Sequence, residues 1–372
     1  MSAEVATPVM VRSDWILLVL SGGLTVAAGL AHFGGWGSVL TFVLAAAAVG
    51  VLAAVVGHSV EQLGDRFGPG ATGVLQSALG NLPELFICLF SLKHGLVDVV
   101  RAALVGSILA NLLLVLGLAF VAGGLRHGTQ QLGSARARVS TVLMLLSVTA
   151  MSIPSVAFWI HSPASKHEDG LSIIVSLLLL GLFFLFLPAS LRRDPDDADG
   201  ADDADGADGA ETAESHERPR WPVWLAIGML AAAGVLAAFV SEWFVDALQP
   251  AMHALNISDA FAGLVVVAIA GNAVENFVGI QLAAGGKSAY AFSVVINSPL
   301  QISLVLAPLL VLISQFVGLG ALTLVFSPML VVALLLAVVL AAFISFDGES
   351  TWLEGASLVV LYGIIAASFW WG

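Results

Sequence analysis

Apolar residues run along this chain in long unbroken blocks, not in the alternating or heptad patterns of soluble elements. Short polar, glycine-bearing or proline-bearing breaks separate the blocks. A block of roughly 18 or more apolar residues can cross a bilayer as a helix. The pattern predicts eleven spans, at about 14–31, 38–62, 72–93, 96–122, 138–160, 170–190, 222–246, 258–284, 287–313, 321–345 and 351–371. The expected fold class is therefore an all-α integral membrane protein with about eleven transmembrane helices.

Composition points the same way. Of 372 residues, 59% are hydrophobic and 10% charged, with a mean hydropathy of +1.00. A soluble domain carries about 25% charged residues. This excludes a soluble enzyme and leaves no basic surface for nucleic acid; the expected surroundings are the lipid bilayer. Cys88 is the only cysteine, so no disulfide can form within the chain. It lies in an apolar run and reads as a small buried hydrophobe. The N-terminus shows no signal-peptide cleavage pattern, and the first span is expected to be retained.

The net charge of −13 is unevenly spread. Residues 192–220 hold eleven acids and four arginines, more than half of the excess. The run from Asp194 to Gly209 is low in complexity, has no apolar face, and is expected to be disordered. It does not read as an EF-hand. With Gly200 or Gly206 at loop position 6, Pro195 or Ala201 falls at position 1 and Gly206 or Thr212 at position 12, where acids are needed.

Lysine and arginine set the expected orientation. With the N-terminus inside, Arg12, Arg66, Arg126, Arg136, Arg138, Arg192, Arg193, Arg218, Arg220 and Lys287 fall inside, and Lys93, Arg101 and Lys166 outside. The N-terminus and acidic loop are thus expected on the cytoplasmic side of the cell (inner) membrane and the C-terminus outside. His58 and Glu61, three residues apart near the inner end of span two, read as a hydrated interfacial pair. Trp221, Trp224, Trp370 and Trp371 read as an aromatic belt.

The most informative feature is an internal repeat. Gly80-Asn81-Leu82-Pro83-Glu84 returns as Gly271-Asn272-Ala273-Val274-Glu275. In each case a second polar cluster begins 26 residues later: Gly106-Ser107-Ile108-Leu109-Ala110-Asn111 and Asn297-Ser298-Pro299-Leu300-Gln301. The motifs fall in spans three and eight. An odd number of spans between them inverts one copy relative to the other, as in many secondary transporters. The expected plan is an N-terminus and leading helix (1–36), a first five-helix repeat (37–191), an acidic cytoplasmic loop (192–220) and a second, inverted five-helix repeat (221–372). Glu61 and Glu242 occupy opposite ends of spans two and seven, as inversion requires.

Glu84 and Glu275 each lie well inside a span, where a carboxylate costs at least about 2.5 kcal/mol. Their neighbours suit a hard cation. Gly80 and Gly271 loosen the helix, Pro83 removes a backbone donor, and Asn81 and Asn272 offer amide oxygens. Ser107, Asn111, Ser298 and Gln301 add side-chain oxygens from the next spans. Calcium takes six to eight oxygen ligands. A soft-metal site would need Cys or clustered His. Once a divalent ion leaves, desolvation and like-charge repulsion favour protonation of the two carboxylates, so protons and calcium compete for the same oxygens. Neither a His-Glu-x-x-His nor a Gly-x-Ser-Gly signature of a membrane-embedded hydrolase is present.

The paired Gly-Asn-x-x-Glu motifs, the Ser-bearing clusters after them and the plan of one leading span plus two five-span repeats resemble the calcium/proton exchanger family of the calcium/cation antiporter superfamily. The resemblance implies that Glu84 and Glu275 bind the ion, that Ser107, Asn111, Ser298 and Gln301 support it, and that spans two and seven gate it. It implies calcium and protons as substrates and no cofactor, with a homo-oligomer left open. Three positions depart from the family pattern: Asn276 stands in place of the usual His, Asn297 in place of Gly, and Pro299 is unusual. Leu82-Pro83-Glu84 echoes the sodium/calcium exchanger branch, which is the alternative reading.

Topology is directly testable. In a Cys88→Ala background, a cysteine at Ser368 should react with an impermeant thiol reagent in intact cells. One at Ala204 should react only after the cytoplasmic face is opened. The reverse pattern would invert the orientation.

Overall fold

The computed structural model describes residues 10–67, 79–132, 135–191 and 220–371, without the side chains of residues 64–67, 135–137, 187–191, 274, 275, 345 and 347. The acidic run 194–209 and the first part of span three lie outside the described residues. The helices are α1 (Arg12–Gly34), α2 (Ser38–Phe67), α3 (Leu82–Lys93), α4 (Val97–His127), α5 (Ala135–Trp159), α6 (Glu168–Leu191), α7 (Val223–Leu255), α8 (Asp259–Gly271), α9 (Ala273–Ala284), α10 (Ser288–Val317), α11 (Pro328–Asp347) and α12 (Trp352–Phe369). A two-residue ribbon, β1 (Gln130–Gln131) with β2 (Glu349–Ser350), ties the loop after α4 to the loop after α11.

Among the described residues, eight helices are long and apolar enough to cross a membrane. A ninth crossing is the pair α8–α9, bent by 63° at its break. The two remaining expected crossings fall on α11, whose apolar part Pro328–Ile344 is shorter, and on α3, which has 12 residues.

Three expected boundaries move. Span eight is not one straight helix but breaks at Asn272. Span seven continues to Leu255, a helix of 33 residues ended by Asn256 in the left-handed conformation. Span ten starts at Pro328, not 321, because residues 321–327 are non-helical. That irregular backbone is largely buried, so its polar groups need partners. Serines supply them. Leu324 N donates to Ser172 Oγ at 3.0 Å, Phe326 N donates to Ser155 Oγ at 2.9 Å, and Ser155 Oγ donates to Leu324 O at 2.9 Å. An apolar run alone does not show such a detour; the signal was Gly318 and Gly320 ahead of it and Pro328 after it.

Helix α4 is the axis of the bundle, buried around nearly its whole surface, whereas α1, α6, α7 and α12 keep wide apolar faces outward. It approaches α8 backbone to backbone. A Cβ at Gly106 would run into the backbone of Leu264, and one at Gly263 into Val99 and Ala102. Small residues at crossings are how helices in lipid reach close packing. The long helices α2 and α7 pack against each other, with α1 against α2.

Side-chain contacts sort the helix ends into two sets. At one end Asp14 of α1 meets His58 of α2 (3.4 Å) and accepts from Trp221 Nε1 just before α7 (3.1 Å). The His58–Glu61 pair is therefore not simply hydrated: His58 lies between Asp14 and Glu61 and edge-on to Trp221. Trp221 is buried, not part of an exposed belt, while Trp224 and Trp371 are exposed. At the other end Lys93 pairs with Glu242 and His94 with Asp246, joining the end of α3 to α7.

The α4–α8 crossing makes a prediction. Gly106→Ala should lower the thermal unfolding temperature of the purified protein, by an overpacking cost of about 1–3 kcal/mol. Gly181→Ala, where nothing lies within 4 Å of the added carbon, should leave it unchanged.

Candidate functional site

Both copies of the repeated motif sit at helix breaks. Asn81 precedes α3, and Asn272 lies between α8 and α9. The two asparagines leave the helix in nearly the same way, with φ, ψ of −93°, 18° and −108°, 22°. The preceding glycines ease the departure. Pro83 is the second residue of α3, where its missing N–H would have had no helical partner anyway. It starts a helix here and does not interrupt one. Glu84 and Glu275 are each the third residue of their half-helix. The free N–H groups of a first turn carry partial positive charge and favour an anion there.

Glu84 is fully buried. Its Oε1 accepts a hydrogen bond from Ser107 Oγ on α4. Its aliphatic part lies along the second copy of the motif: a Cβ at Gly271 would come within 3.3 Å of Glu84 Cβ. An added carbon there would need Glu84 to give way by a few tenths of an ångström. The glutamate of one repeat thus packs on the glycine of the other.

Around this contact runs a closed polar network. Asn272 Nδ2 donates to Ser107 Oγ at 3.0 Å and to Ala268 O at 3.0 Å. Ser298 Oγ donates to Asn272 Oδ1 at 3.2 Å. Asn111 Nδ2 reaches Ser107 O at 2.9 Å, Ser298 Oγ at 3.2 Å and Asn272 Oδ1 at 3.4 Å. Asn81 Nδ2 donates to Gln301 Oε1 at 3.4 Å. Asn81, Ser107, Asn111, Asn272 and Ser298 are all buried. Asn111 Oδ1 and Asn276 Oδ1 are buried acceptors with no hydrogen-bond partner among the described residues.

Three helical irregularities surround the site. π-helical turns occupy Ala110–Val115, overlapping the end of the first polar cluster, Ile302–Leu306, directly after the second, and Ala262–Val267 ahead of the α8 break. Wide turns of this kind are frequent at functional sites. Sequence reading missed them, and no residue type announces them.

The structure therefore brings together Glu84, Ser107, Asn111, Gly271, Asn272 and Ser298, with Asn81 and Gln301 beside them and Gly80 at the first break. The side chain of Glu275 lies outside the described residues. Glu61 and Glu242 belong to the two helix-end clusters and not to this network. Among the described residues no group of three or more His, Cys, Asp or Glu side chains could hold a metal ion. The described donors are one carboxylate with amide and hydroxyl groups, which suits a hard cation and not a soft one.

The sequence model of the sodium/calcium exchanger protein family matches residues 37–192 and 225–371. The chain belongs to this family. The stretch between the two matched segments, 193–224, contains the acidic run 194–209. Members of the sodium/calcium exchanger family are transporters and not enzymes. The chain is 35% identical over 346 residues to a protein of Synechocystis sp. named Ca(2+)/H(+) antiporter, covering 91% of this chain and 93% of that one. It is 34% identical over 364 residues to the Ca(2+)/H(+) antiporter ChaA of Bacillus subtilis, covering 97% and 99%. Among solved structures it matches native YfkE with a TM-score of 0.79 at 31% identity, covering 95% and 99%. It shares the fold of the H+/Ca2+ exchanger CAX, with a TM-score of 0.72 at 15% identity, covering 96% and 92%.

Asn272 is the bridge between the two serines. Asn272→Ala should leave both without that amide and destabilise the protein by about 1–3 kcal/mol. Thermal unfolding checks this, with Asn276→Ala, which breaks no described hydrogen bond, as the comparison.

Proposed function

We propose that this chain is a secondary antiporter that exchanges calcium for protons by alternating access, with Glu84 and Glu275 binding either calcium or protons. The observation that carries the reading is the seat of Glu84: a buried carboxylate in the first turn of a half-helix, packed on Gly271 of the opposite repeat. Relatives above 30% identity named as calcium/proton antiporters support the choice of ions. On this reading, inversion of the repeats brings Glu275 to the equivalent seat. Two carboxylates then balance a divalent charge. Ser107, Ser298 and Asn111 Oδ1 supply further oxygens toward the six to eight that calcium takes. When calcium leaves, the apolar walls and mutual repulsion favour taking up protons. Neither ion can leave the pair bare, which couples the two fluxes.

Access would change as α2 and α7 move over the breaks. Gly50 of α2 lies against Ala273, the first residue of α9; a Cβ at 50 would come within 3.1 Å of Ala273 Cβ. The smooth contact permits sliding without repacking large side chains.

Glu84→Gln should abolish calcium transport, at least a hundredfold loss by analogy with removal of a buried charge worth about 3–5 kcal/mol, in protein that still purifies as a folded species. In everted vesicles, calcium uptake should run on an acidic interior without sodium and collapse with a protonophore. Uptake driven by a sodium gradient alone and indifferent to the protonophore would replace protons with sodium. Near-normal uptake by folded Glu84→Gln would remove Glu84 from the site.

A further inference from the structure

At the end of the molecule away from Asp14, three helices meet. α3 finishes at Lys93 with His94 as its capping residue, α1 carries His32 in its last turn, and α7 passes both with Glu242 and Asp246 one turn apart. Lys93 Nζ is 3.1 Å from Glu242 Oε1. His94 Nε2 is 3.1 Å from Asp246 Oδ1, and His32 Nε2 is 3.9 Å from Asp246 Oδ2. The His32 ring stacks on Trp243 with centroids 5.8 Å apart. Of the nearest charges on α4, Asp98 and Arg101 pair with each other at 3.2 Å, and Arg101 also donates to Thr323 at 2.8 Å.

The His94 ring is held at both nitrogens. Nδ1 lies 2.8 Å from Phe90 O, a carbonyl that can only accept, so Nδ1 carries a proton. Nε2 faces a carboxylate that, when ionised, also only accepts. A neutral ring has one proton for two nitrogens and would set a lone pair against Asp246. Both contacts are attractive only in the imidazolium. A bridging metal is not the remedy, because these side chains do not form a group that could hold one.

We infer that the His94–Asp246 pair is a proton-operated latch between α3 and α7. Histidine changes charge between about pH 5 and 8. The latch is closed when the His94 ring is protonated and lost when it is neutral. The Lys93–Glu242 pair keeps the two helices in register. α3 is a rigid rod of 12 residues with Glu84 in its first turn and His94 at its end. Holding one end restrains the other. The consequence for transport rests on the proposed function; the latch itself does not. On the expected orientation this end faces outside, so outside acidity, which supplies the driving protons, would also restrain the exchanger through a proton that is not transported.

Hydrogen exchange on the full-length protein in detergent tests the latch without transport. Exchange in the peptide spanning 90–96 is compared at about pH 5.5 and about pH 7.5, corrected for intrinsic rates. Protection should be roughly threefold or more higher at the lower pH. That difference should vanish in His94→Gln and in Asp246→Asn and persist in Lys93→Gln. Should His94→Gln fail to fold, Asp246→Asn reads the same loss. Equal pH dependence in wild type and in either folded variant of the pair overturns the latch. Calcium flux in vesicles, with the pH of each face set separately, then tests the consequence. On acidifying this face alone the wild-type rate should rise less steeply than the His94→Gln rate. An unchanged flux profile in His94→Gln overturns the regulatory role. A pH-dependent protection in protein that moves no calcium keeps the latch and rejects the transport reading.

Discussion

A carboxylate buried among apolar helices is the constraint on which the rest of this structure depends. Glu84 has no exposure to solvent, and such a group persists only where donors, dipoles or a counter-charge stabilise it. Each local departure from regular helix near it serves that need. The break at Asn81 places Glu84 in a first turn, at the positive end of the half-helix dipole. Ser107 donates a hydroxyl to it from α4. Gly271 leaves the space in which its side chain lies. π-turns adjoin both polar clusters, where α4 and α10 present serines and asparagines instead of aliphatic side chains.

The site is also where the two repeats become one object. Ser107 and Ser298 hold equivalent places in the two copies, yet both bond to a single side chain, Asn272. Asn111 spans the same pair from the first repeat, with nothing equivalent in the second, where Ile302 stands. The pseudo-symmetry is thus broken at the centre. A network this dry and this connected is sensitive to any one member, because a lost partner leaves a polar group stranded in low dielectric. On the proposed function, that sensitivity lets occupancy by calcium or by protons bias the helices around it.

Away from the centre, the polar residues gather at the two ends. Asp14, His58 and Trp221 tie α1, α2 and the start of α7 together at one end. Lys93, His94, His32, Glu242 and Asp246 tie α3, α1 and α7 at the other. Between these ends the α2–α7 contact is apolar, with small residues at the crossing near the α9 break. α2 and α7 are tied together at the Asp14 end, and α7 is tied to α1 and α3 at the other. α1, outside the repeats, contributes to both clamps.

By itself the sequence determined the membrane class, the repeat, and nearly all the residues of the central network. Those features depend on composition, block length and spacing along one chain, and lipid enforces them strictly: every span must be apolar, and a polar cluster inside one needs a reason. Asn81, Glu84, Ser107, Asn111, Asn272, Ser298 and Gln301 stood out for that reason. Only the tertiary structure decided what those residues touch. That Glu84 lies on Gly271, that Pro83 begins a helix, that Trp221 is buried against Asp14 and that residues 321–327 leave the helix and bond to Ser155 and Ser172 all depend on partners far away in the chain. A hydropathy pattern records how much apolar surface a segment has. It does not record which segment will satisfy the backbone and side-chain groups that the apolar surroundings leave without water.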